Sequence, residues 1–312
     1  MKPTVLATCR LLPNEMKDLE EKFNTIVLWR EADPEEAIQA HKDEIQAIAT
    51  SHTFPVRREL MEALPNLEII ATNSVGTNHI DLEAAKERDI KVCNTPDVLS
   101  ECTADTALCL MLAVMRRICE GDLYVRVGKW FNGDMPLGRR PRGKTCGIVG
   151  LGRIGKEIAK RCEAFGMDIA YHGRTKQDVP YRYYPDLTRM AEDCDVMILS
   201  CPGGPETVNL VDSHILEALG PQGFLINVSR GTVVDEPALI AALQGGVIAG
   251  AGLDVFVNEP DIPQELISMD NVVLLPHIGS ATFETRTEMG RLVIDNIAAH
   301  FEGKPLLTQV NV

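Results

Sequence analysis

The chain has 312 residues, of which 45% are hydrophobic and 24% are charged, and its formal net charge is -14. At roughly 150 residues per domain, this length predicts two domains of a globular protein. The acidic balance argues against non-specific nucleic-acid binding, which needs a basic surface. No segment carries the ~20 consecutive apolar residues that cross a membrane, so no membrane association is expected.

The cysteines indicate a reducing compartment. They occupy positions 9, 93, 102, 109, 119, 146, 162, 194 and 201, and none forms a CxxC pair. Several lie in apolar runs such as ALCLML, which is typical of small buried side chains. We therefore expect neither a metal site nor a disulfide framework. Because the segment MKPTVLATCR also lacks the apolar stretch of a signal peptide, we expect a cytoplasmic protein.

Short apolar runs alternate with amphipathic segments in the first hundred residues. TVLATC precedes PNEMKDLEEKF, TIVLW precedes DPEEAIQAHKDEI, AIAT precedes PVRRELMEAL, and LEIIAT precedes DLEAAKERD. Alternation of this kind predicts parallel strands joined by helices that cover both faces of a sheet.

The pattern changes at Ser100. SECTADTALCLMLAVMRRICE predicts one long apolar helix with Ser100 as its N-cap, and a segment rich in Gly, Arg and Pro follows. A second series of predicted strands then begins, and it consists of TCGIVG, MDIAYH, DVMILSC, GFLINVS, IAGAGLDV and VVLLP.

The last predicted helix, from about residue 281 to 301, is too long for a simple crossover and could return to the first domain. We therefore predict an inserted layout. Residues 1–98 with 286–312 form one domain, and residues 99–285 form the other. A cleft between two such domains is a common place for a small-molecule site.

The glycines of TCGIVGLGRIGKEIAKRCEAFG fit the pattern G-x-G-x-x-G. Gly150 would permit a tight turn, Gly152 a close approach of a pyrophosphate, and Gly155 the packing of the helix on the strand. The N-terminus of the helix would then offer N–H groups to the phosphates. A purely structural turn is the alternative. The preceding apolar strand and the following amphipathic helix favour dinucleotide binding.

The stretch YHGRTK ends the next predicted strand, where an acidic residue usually binds the adenosine ribose. Asp168 lies at the beginning of that strand, away from the edge where ligands bind. His172, Gly173, Arg174 and Thr175 stand at the carboxyl end instead. A guanidinium and a hydroxyl suit the 2′-phosphate of NADP, so NADPH is the preferred cofactor and NADH remains an alternative. An ordinary solvated turn would explain the same residues without a ligand.

Three further segments follow apolar strands, and each carries one candidate catalytic residue: Arg230 in INVSRGTVVDEPAL, Glu259 in GLDVFVNEP and His277 in LLPHIGSAT. Parallel strands end at one edge of a sheet, so these residues are predicted to lie at the same edge as the glycine loop. Taken singly, each has an ordinary alternative as an ion-pair partner, a solvated acid or a structural histidine.

Together, VGLGRIG, NVSRGTVVDEPAL, AGAGLDVFVNEP, LPHIGSAT and the earlier loop NSVGTNHID resemble the D-isomer-specific 2-hydroxyacid dehydrogenases over nearly the whole chain. The resemblance implies two Rossmann-like, doubly wound α/β domains, with the NAD(P)-binding domain inserted into a flavodoxin-like substrate domain. It also implies a homodimer.

The resemblance assigns roles to individual residues. Arg230 would anchor the substrate, Glu259 would orient His277, and His277 would donate the proton that accompanies hydride transfer to a 2-keto acid. The backbone N–H groups of Val75 and Gly76 would complete the substrate-carboxylate site. The implied cofactor-binding residues are Gly150, Gly152, Arg153, Ile154, Gly155, His172, Arg174, Thr175, Cys201, Pro202, Val228, Ser229, Arg230, Asp254, His277 and Gly279. Asp254 would accept from the nicotinamide amide.

Within the family, the chain resembles the glyoxylate/hydroxypyruvate reductases. Trp130, in VGKWFNGDMPLG, would then reach the partner subunit's site, although interface or core packing explains a tryptophan there equally well. Two alternatives stay open. One is a reductase of larger, aryl-type 2-keto acids, and the other is a non-catalytic nucleotide-sensing protein that resembles a co-repressor.

Overall fold

The computed structural model describes residues 2–310, and it divides into two compact units. Unit 1 contains the described residues up to Leu99 and those from Ser280 onward, and unit 2 is Ser100–Gly279. The second junction therefore precedes the predicted boundary at residue 285, because the last helix belongs whole to unit 1. The binding roles of the two domains stay predictions at this point.

The structure contains twelve strands and twelve α-helices in the described residues. The strands are β1 Thr4–Ala7, β2 Asn24–Val27, β3 Ile45–Thr50, β4 Ile69–Thr72, β5 Lys91–Cys93, β6 Thr145–Val149, β7 Asp168–His172, β8 Arg182–Tyr184, β9 Val196–Leu199, β10 Phe224–Asn227, β11 Gly250–Leu253 and β12 Val272–Leu274. The helices are α1 Pro13–Lys22, α2 Pro34–His41, α3 Arg58–Ala63, α4 Leu82–Glu87, α5 Ser100–Met115, α6 Ile118–Arg126, α7 Arg153–Ala164, α8 Leu187–Asp193, α9 Ser213–Leu219, α10 Glu236–Gln244, α11 Gln264–Ile267 and α12 Phe283–Phe301.

Unit 1 is built on a parallel sheet with the strand order β2-β1-β3-β4-β5. This is the flavodoxin-like order 2-1-3-4-5. Residues of β1 alternate between the two faces, since Val5 and Ala7 lie in one apolar cluster and Leu6 in the other. On one face, α12 packs with α1 and against β4.

Unit 2 is built on a seven-stranded parallel sheet with the order β12-β11-β10-β9-β6-β7-β8. The chain runs outward from β6 through β7 to β8 and then crosses to β9 on the other side of β6. This is the Rossmann order, extended by one strand, and its switch point lies between β6 and β9. The predicted fold class of two doubly wound α/β domains is confirmed.

The prediction of one helix beginning at Ser100 and continuing through residue 120 was wrong. Helix α5 has Ser100 as its first residue and ends at Met115, and α6 begins at Ile118. Between them Arg117 adopts a left-handed φ of 56°. The break is stabilised because the Arg139 N–H donates to the Met115 carbonyl at 2.7 Å, which satisfies an acceptor at the end of the helix. The Arg117 side chain also pairs with Glu120 in the first turn of α6.

No membrane-crossing helix is present in residues 2–310, because none of the helices there combines the required length with the required apolar character.

Candidate active site

The glycine loop joins β6 to α7 at the switch point of unit 2. Gly150 has a φ of 92°, and a Cβ placed on it would lie 2.7 Å from Cα of Cys201. The position therefore requires glycine for two reasons, its left-handed backbone and the close approach of the loop after β9. Ser200 contributes to the same contact, since its hydroxyl donates to the Gly150 carbonyl at 2.9 Å.

Helix α7 presents its N-terminus beside this loop. Its N-cap is Gly152, and the helix begins with Arg153, Ile154 and the buried Gly155, with no acidic residue in the first turn. A Cβ on Gly152 would meet no atom within 4 Å, whereas one on Gly155 would lie 2.3 Å from the Gly150 carbonyl oxygen. The open side of the loop thus faces a helix N-terminus, which is the arrangement that holds a dinucleotide pyrophosphate.

Two residues predicted to line the cofactor follow β9. Cys201 is buried, and Pro202 next to it is exposed. Burial raises the pKa of the Cys201 thiol to about 11. The thiol is therefore protonated at neutral pH and contributes as a small apolar group.

The turn after β7 exposes the predicted phosphate-binding residues. Arg174 and Thr175 are both exposed, while His172 is partly buried and its Nδ1 lies 3.0 Å from the Tyr184 carbonyl oxygen. Asp168 is the first residue of β7, at the opposite end of the strand, as the sequence predicts. The exposed guanidinium of Arg174 is therefore accessible to a phosphate from solvent.

The loop after β10 places Arg230. The side chain of Asn227, the last residue of β10, accepts from the Ser229 N–H at 3.0 Å and donates to the Arg230 carbonyl at 3.0 Å. Val228 and Ser229 are buried, and the Arg230 guanidinium donates to the Ser229 carbonyl at 2.6 Å. Burial lowers the pKa of Arg230, and the negative charge of Glu259 opposes this shift.

Glu259 and His277 form a close pair. Nδ1 of His277 lies 2.7 Å from Oε2 of Glu259, so the ring N–H donates to the carboxylate. The other carboxylate oxygen of Glu259 accepts from the Phe256 N–H at 3.0 Å. The carboxylate is thus fixed by its own loop, and it fixes the imidazole in turn. The Arg230 loop packs against the same loop, since a Cβ on Gly231 would lie 1.9 Å from the Phe256 carbonyl carbon, so the structure brings together the three predicted catalytic residues.

His277 adopts a left-handed backbone with a φ of 54°, which is uncommon for a residue with a side chain. The two peptide groups that follow are held by the buried Asp254. Its two oxygens accept from the Ile278 and Gly279 N–H groups, each at 2.7 Å. Burial raises the pKa of Asp254, while these backbone donors and His277 oppose the shift. The contact of Asp254 with a nicotinamide amide stays a prediction.

Val75 and Gly76 lie in unit 1, in the loop between β4 and α4. Asn94 donates to the Val75 carbonyl at 2.9 Å, and the Ser74 hydroxyl donates to the Gly76 carbonyl at 2.7 Å. The backbone of the loop is therefore held at two successive carbonyls. The predicted role of its N–H groups in substrate binding stays a prediction.

Sequence reasoning missed several residues that hold this site together. Asn227 orders the Arg230 loop, and Ser200 ties β9 to the glycine loop. Each is a polar residue at the end of an apolar strand run, which is a signal that could have identified it.

Trp130 is 65% exposed and lies in a short 3₁₀ segment, Lys129–Asn132. It therefore does not pack in the core of unit 2.

Residues 108–279 match the family described as D-isomer specific 2-hydroxyacid dehydrogenase, NAD binding domain. The chain belongs to this family. It is accordingly an oxidoreductase that acts on 2-hydroxy acids, and unit 2 contains its NAD(P)-binding domain.

Relatives of known activity resemble the chain over nearly its full length. Glyoxylate/hydroxypyruvate reductase A of Arabidopsis thaliana is 47% identical and covers 98% of both chains. Hydroxyphenylpyruvate reductase of Plectranthus scutellarioides is 44% identical, again with 98% of both chains covered. An NADPH-dependent glyoxylate/hydroxypyruvate reductase of Sinorhizobium meliloti, solved in complex with NADP and malonate, superposes with a TM-score of 0.94. It is 44% identical, and 99% of this chain and 97% of that chain are covered.

Proposed function

We propose that this oxidoreductase uses NADPH to reduce small 2-keto acids, such as glyoxylate and hydroxypyruvate, to glycolate and D-glycerate. The observation that carries the proposal is the pairing of His277 with Glu259, next to Arg230, at the sheet edge where the glycine loop also lies. A proton donor, its orienting carboxylate and an anion-binding cation are the groups that carbonyl reduction of a keto acid requires.

His277 supplies the proton in this proposal. Glu259 accepts from Nδ1, so Nε2 is the ring nitrogen that carries the transferable proton. The contact with Glu259 also holds the ring in the orientation from which Nε2 can donate. Bound NADPH supplies the hydride to the carbonyl carbon, and the proton from Nε2 goes to the carbonyl oxygen. The imidazolium also stabilises the negative charge that develops on that oxygen.

Arg230 binds the substrate carboxylate and the keto oxygen. Its planar guanidinium can contact both oxygens at once, which a lysine ammonium cannot do with the same geometry. Its backbone is held by Asn227, so the cation is positioned before the substrate arrives. The malonate in the Sinorhizobium structure is a carboxylate bound to a relative, which agrees with an anion site in such proteins.

The cofactor preference rests on the turn after β7. Arg174 and Thr175 are exposed at the carboxyl end of β7, where a 2′-phosphate would lie, and residues 173–177 contain no acid that would repel it. The relative solved with NADP is described as NADPH-dependent, which supports the same choice. NADH would lack only the contacts to the 2′-phosphate.

A second candidate is a reductase of aryl pyruvates. It is favoured by the Plectranthus relative, which is named for hydroxyphenylpyruvate and is nearly as similar as the Arabidopsis one. The two candidates share the chemistry of His277 and Arg230 and differ in the size of the group that the substrate carries beyond the keto carbon.

One assay tests the proposal. Purified protein is mixed with NADPH or NADH and with glyoxylate, hydroxypyruvate, phenylpyruvate or hydroxyphenylpyruvate, and the cofactor absorbance is followed. We expect turnover with NADPH and the small acids. A strong preference for the aryl acids would replace the first candidate by the second. Absence of turnover with every acid would contradict both candidates.

We also infer that the protein is a cytoplasmic homodimer. Apolar side chains cluster in residues 118–137, and the most exposed are Phe131, at 94%, and Leu137, at 95%. A second copy of the chain would cover them, and the resemblance to the family favours this arrangement. Light scattering measures the mass in solution, and Phe131→Glu should shift a dimer towards the monomer. The cytoplasmic location rests on the cysteines, several of which are small buried side chains, as is typical of proteins in a reducing compartment.

A further inference from the structure

The turn after β7 differs from an ordinary surface turn in how its backbone is held. Arg174, Thr175 and Lys176 are exposed, but the residues at each end of the turn bind buried or partly buried tyrosines. At its start, the Tyr183 hydroxyl donates to the Gly173 carbonyl at 3.1 Å. At its end, the Gln177 N–H donates to the hydroxyl of the buried Tyr171 at 2.7 Å.

The two tyrosines form one support. Tyr171 on β7 is directly opposite Tyr183 on the neighbouring strand β8, and their ring centroids are 5.2 Å apart. Tyr171 is only 1% exposed, so its hydroxyl has a fixed position beneath the turn. The exposed residues therefore project from a backbone whose two ends are anchored to the same part of the sheet.

Gln177 adds a link in another direction. Its side-chain Nε2 donates to the Leu151 carbonyl at 2.8 Å. Leu151 is the residue between Gly150 and Gly152 in the glycine loop. One residue thus joins the turn that offers Arg174 to the loop that approaches the pyrophosphate.

We propose that Gln177 is a positioning residue that determines the selectivity for NADPH over NADH, an inference that rests on the proposed use of NADPH. NADPH carries a pyrophosphate and a 2′-phosphate, and the protein must bind both groups at the same time. Gln177 fixes the separation between the loop and the turn that bind them. NADH has no 2′-phosphate, so its binding does not depend on the separation between the glycine loop and the turn. Binding sites that are held before the ligand arrives gain affinity because less freedom is lost on binding.

The test measures dissociation constants of NADPH and NADH by fluorescence titration for the wild type and for Gln177→Met. Methionine keeps the length of the side chain and removes the donor. We expect NADPH binding to weaken about 5- to 10-fold, the usual effect of one lost hydrogen bond, with NADH binding little changed. Gln177→Ala is the second variant, and Gln244→Ala, at an exposed glutamine of α10, is the matched control. Bound NADH and an unchanged melting temperature show that each variant is folded.

A double-mutant cycle with Arg174→Ala decides whether Gln177 acts through the phosphate-binding turn. In the Arg174→Ala background, Gln177→Met should have little further effect on NADPH. Equal weakening of NADPH and NADH, no change in either, or a full effect in the Arg174→Ala background would each overturn the proposal. If Arg174→Ala alone lowers the affinity for both cofactors equally, then the proposed NADPH preference itself fails, and this result is distinct from the other three.

Discussion

Two regions of unit 2 hold their functional residues in opposite ways. At the ends of β10, β11 and β12, the charged side chains themselves are fixed by neighbours, as in the 2.7 Å contact between His277 and Glu259. At the end of β7, the backbone is fixed and the side chains of Arg174 and Thr175 extend into solvent.

The difference follows from what each region must do. Proton transfer depends on short distances to a reacting atom, so the donor has to be held before the reaction begins. Binding of a terminal phosphate tolerates a side chain that adjusts to the ligand, provided that the backbone carries it to the right place. Substitutions in the first region should therefore reduce the rate of the chemical step, and those in the second should reduce cofactor selectivity.

The largest effect is expected from His277→Ala. Removal of the proton donor should lower kcat about 10²- to 10⁴-fold, the range for general acid catalysis, while NADPH still binds. Steady-state rates with glyoxylate and fluorescence titration of NADPH give the two quantities. His214→Ala, at an exposed histidine of α9, is the control and should keep wild-type activity. Near wild-type turnover of the His277 variant would remove it from the mechanism.

A smaller but still large effect is expected from Arg230→Lys. The charge remains and the planar fork is lost, so kcat/KM for glyoxylate should fall about a hundredfold. The comparison requires kcat and KM to be measured separately. Arg189→Lys, at an exposed arginine of α8, should leave both unchanged. An Arg230→Lys enzyme with unaltered kcat/KM would show that a positive charge alone is sufficient.

Arg174→Ala tests the second region. Loss of a charge-assisted contact to the 2′-phosphate should weaken NADPH binding about 10- to 30-fold, with kcat at saturating NADPH close to wild type. NADH binding should be unaffected. The measurement is KM for each cofactor, with Arg189→Ala as the control. A fall in kcat similar to that of His277→Ala would erase the distinction between the two regions.

The last prediction concerns the pH dependence of stability at Cys201, which packs against the glycine loop. The pKa of Cys201 is raised from 9.0 to about 11 by burial, so the folded state keeps the proton that the unfolded chain releases above pH 9. The free energy of unfolding therefore has its full contribution from Cys201 below pH 9, and this contribution is lost as the pH rises towards 11. The Cys201→Ser variant lacks this thiol, so between pH 9 and 11 its free energy of unfolding should fall about 2 kcal/mol less than that of the wild type. Near pH 7 the free energy of unfolding of the two proteins should depend on pH in nearly the same way.

Urea denaturation at several pH values measures that slope. Cys109→Ser, at an exposed cysteine of α5, is the control and should follow the wild type at every pH. An identical alkaline slope for Cys201→Ser and the wild type would show that the Cys201 thiol ionises equally in both states.

The sequence predicted the arrangement of the sheet edge because that arrangement follows from topology. Parallel strands end at one edge, so Gly150, Arg230, Glu259 and His277 could be grouped from the apolar runs that precede them. The side-chain contact between Glu259 and His277 was also predictable as a pairing of charges, although its distance required the structure.

Other features were missed because their causes are tertiary. Strands β5 and β8 have three residues each and lie at sheet edges, so their apolar runs are too short to stand out. The break after Met115 depends on a hydrogen bond from Arg139, which is distant in sequence. The link from Gln177 to Leu151 is equally remote, and nothing in the letters TKQDV distinguishes that glutamine from an exposed one.

The left-handed backbone of His277 affects which substitutions selection for thermal stability would favour. A non-glycine residue in that conformation costs about 1–3 kcal/mol, and glycine or asparagine would accept it more easily. Selection for thermal stability alone would therefore favour replacement of the residue on which turnover depends. In a library screened only for heat resistance, variants that replace His277 would therefore be selected even though they lose catalysis. Any such screen should also measure activity.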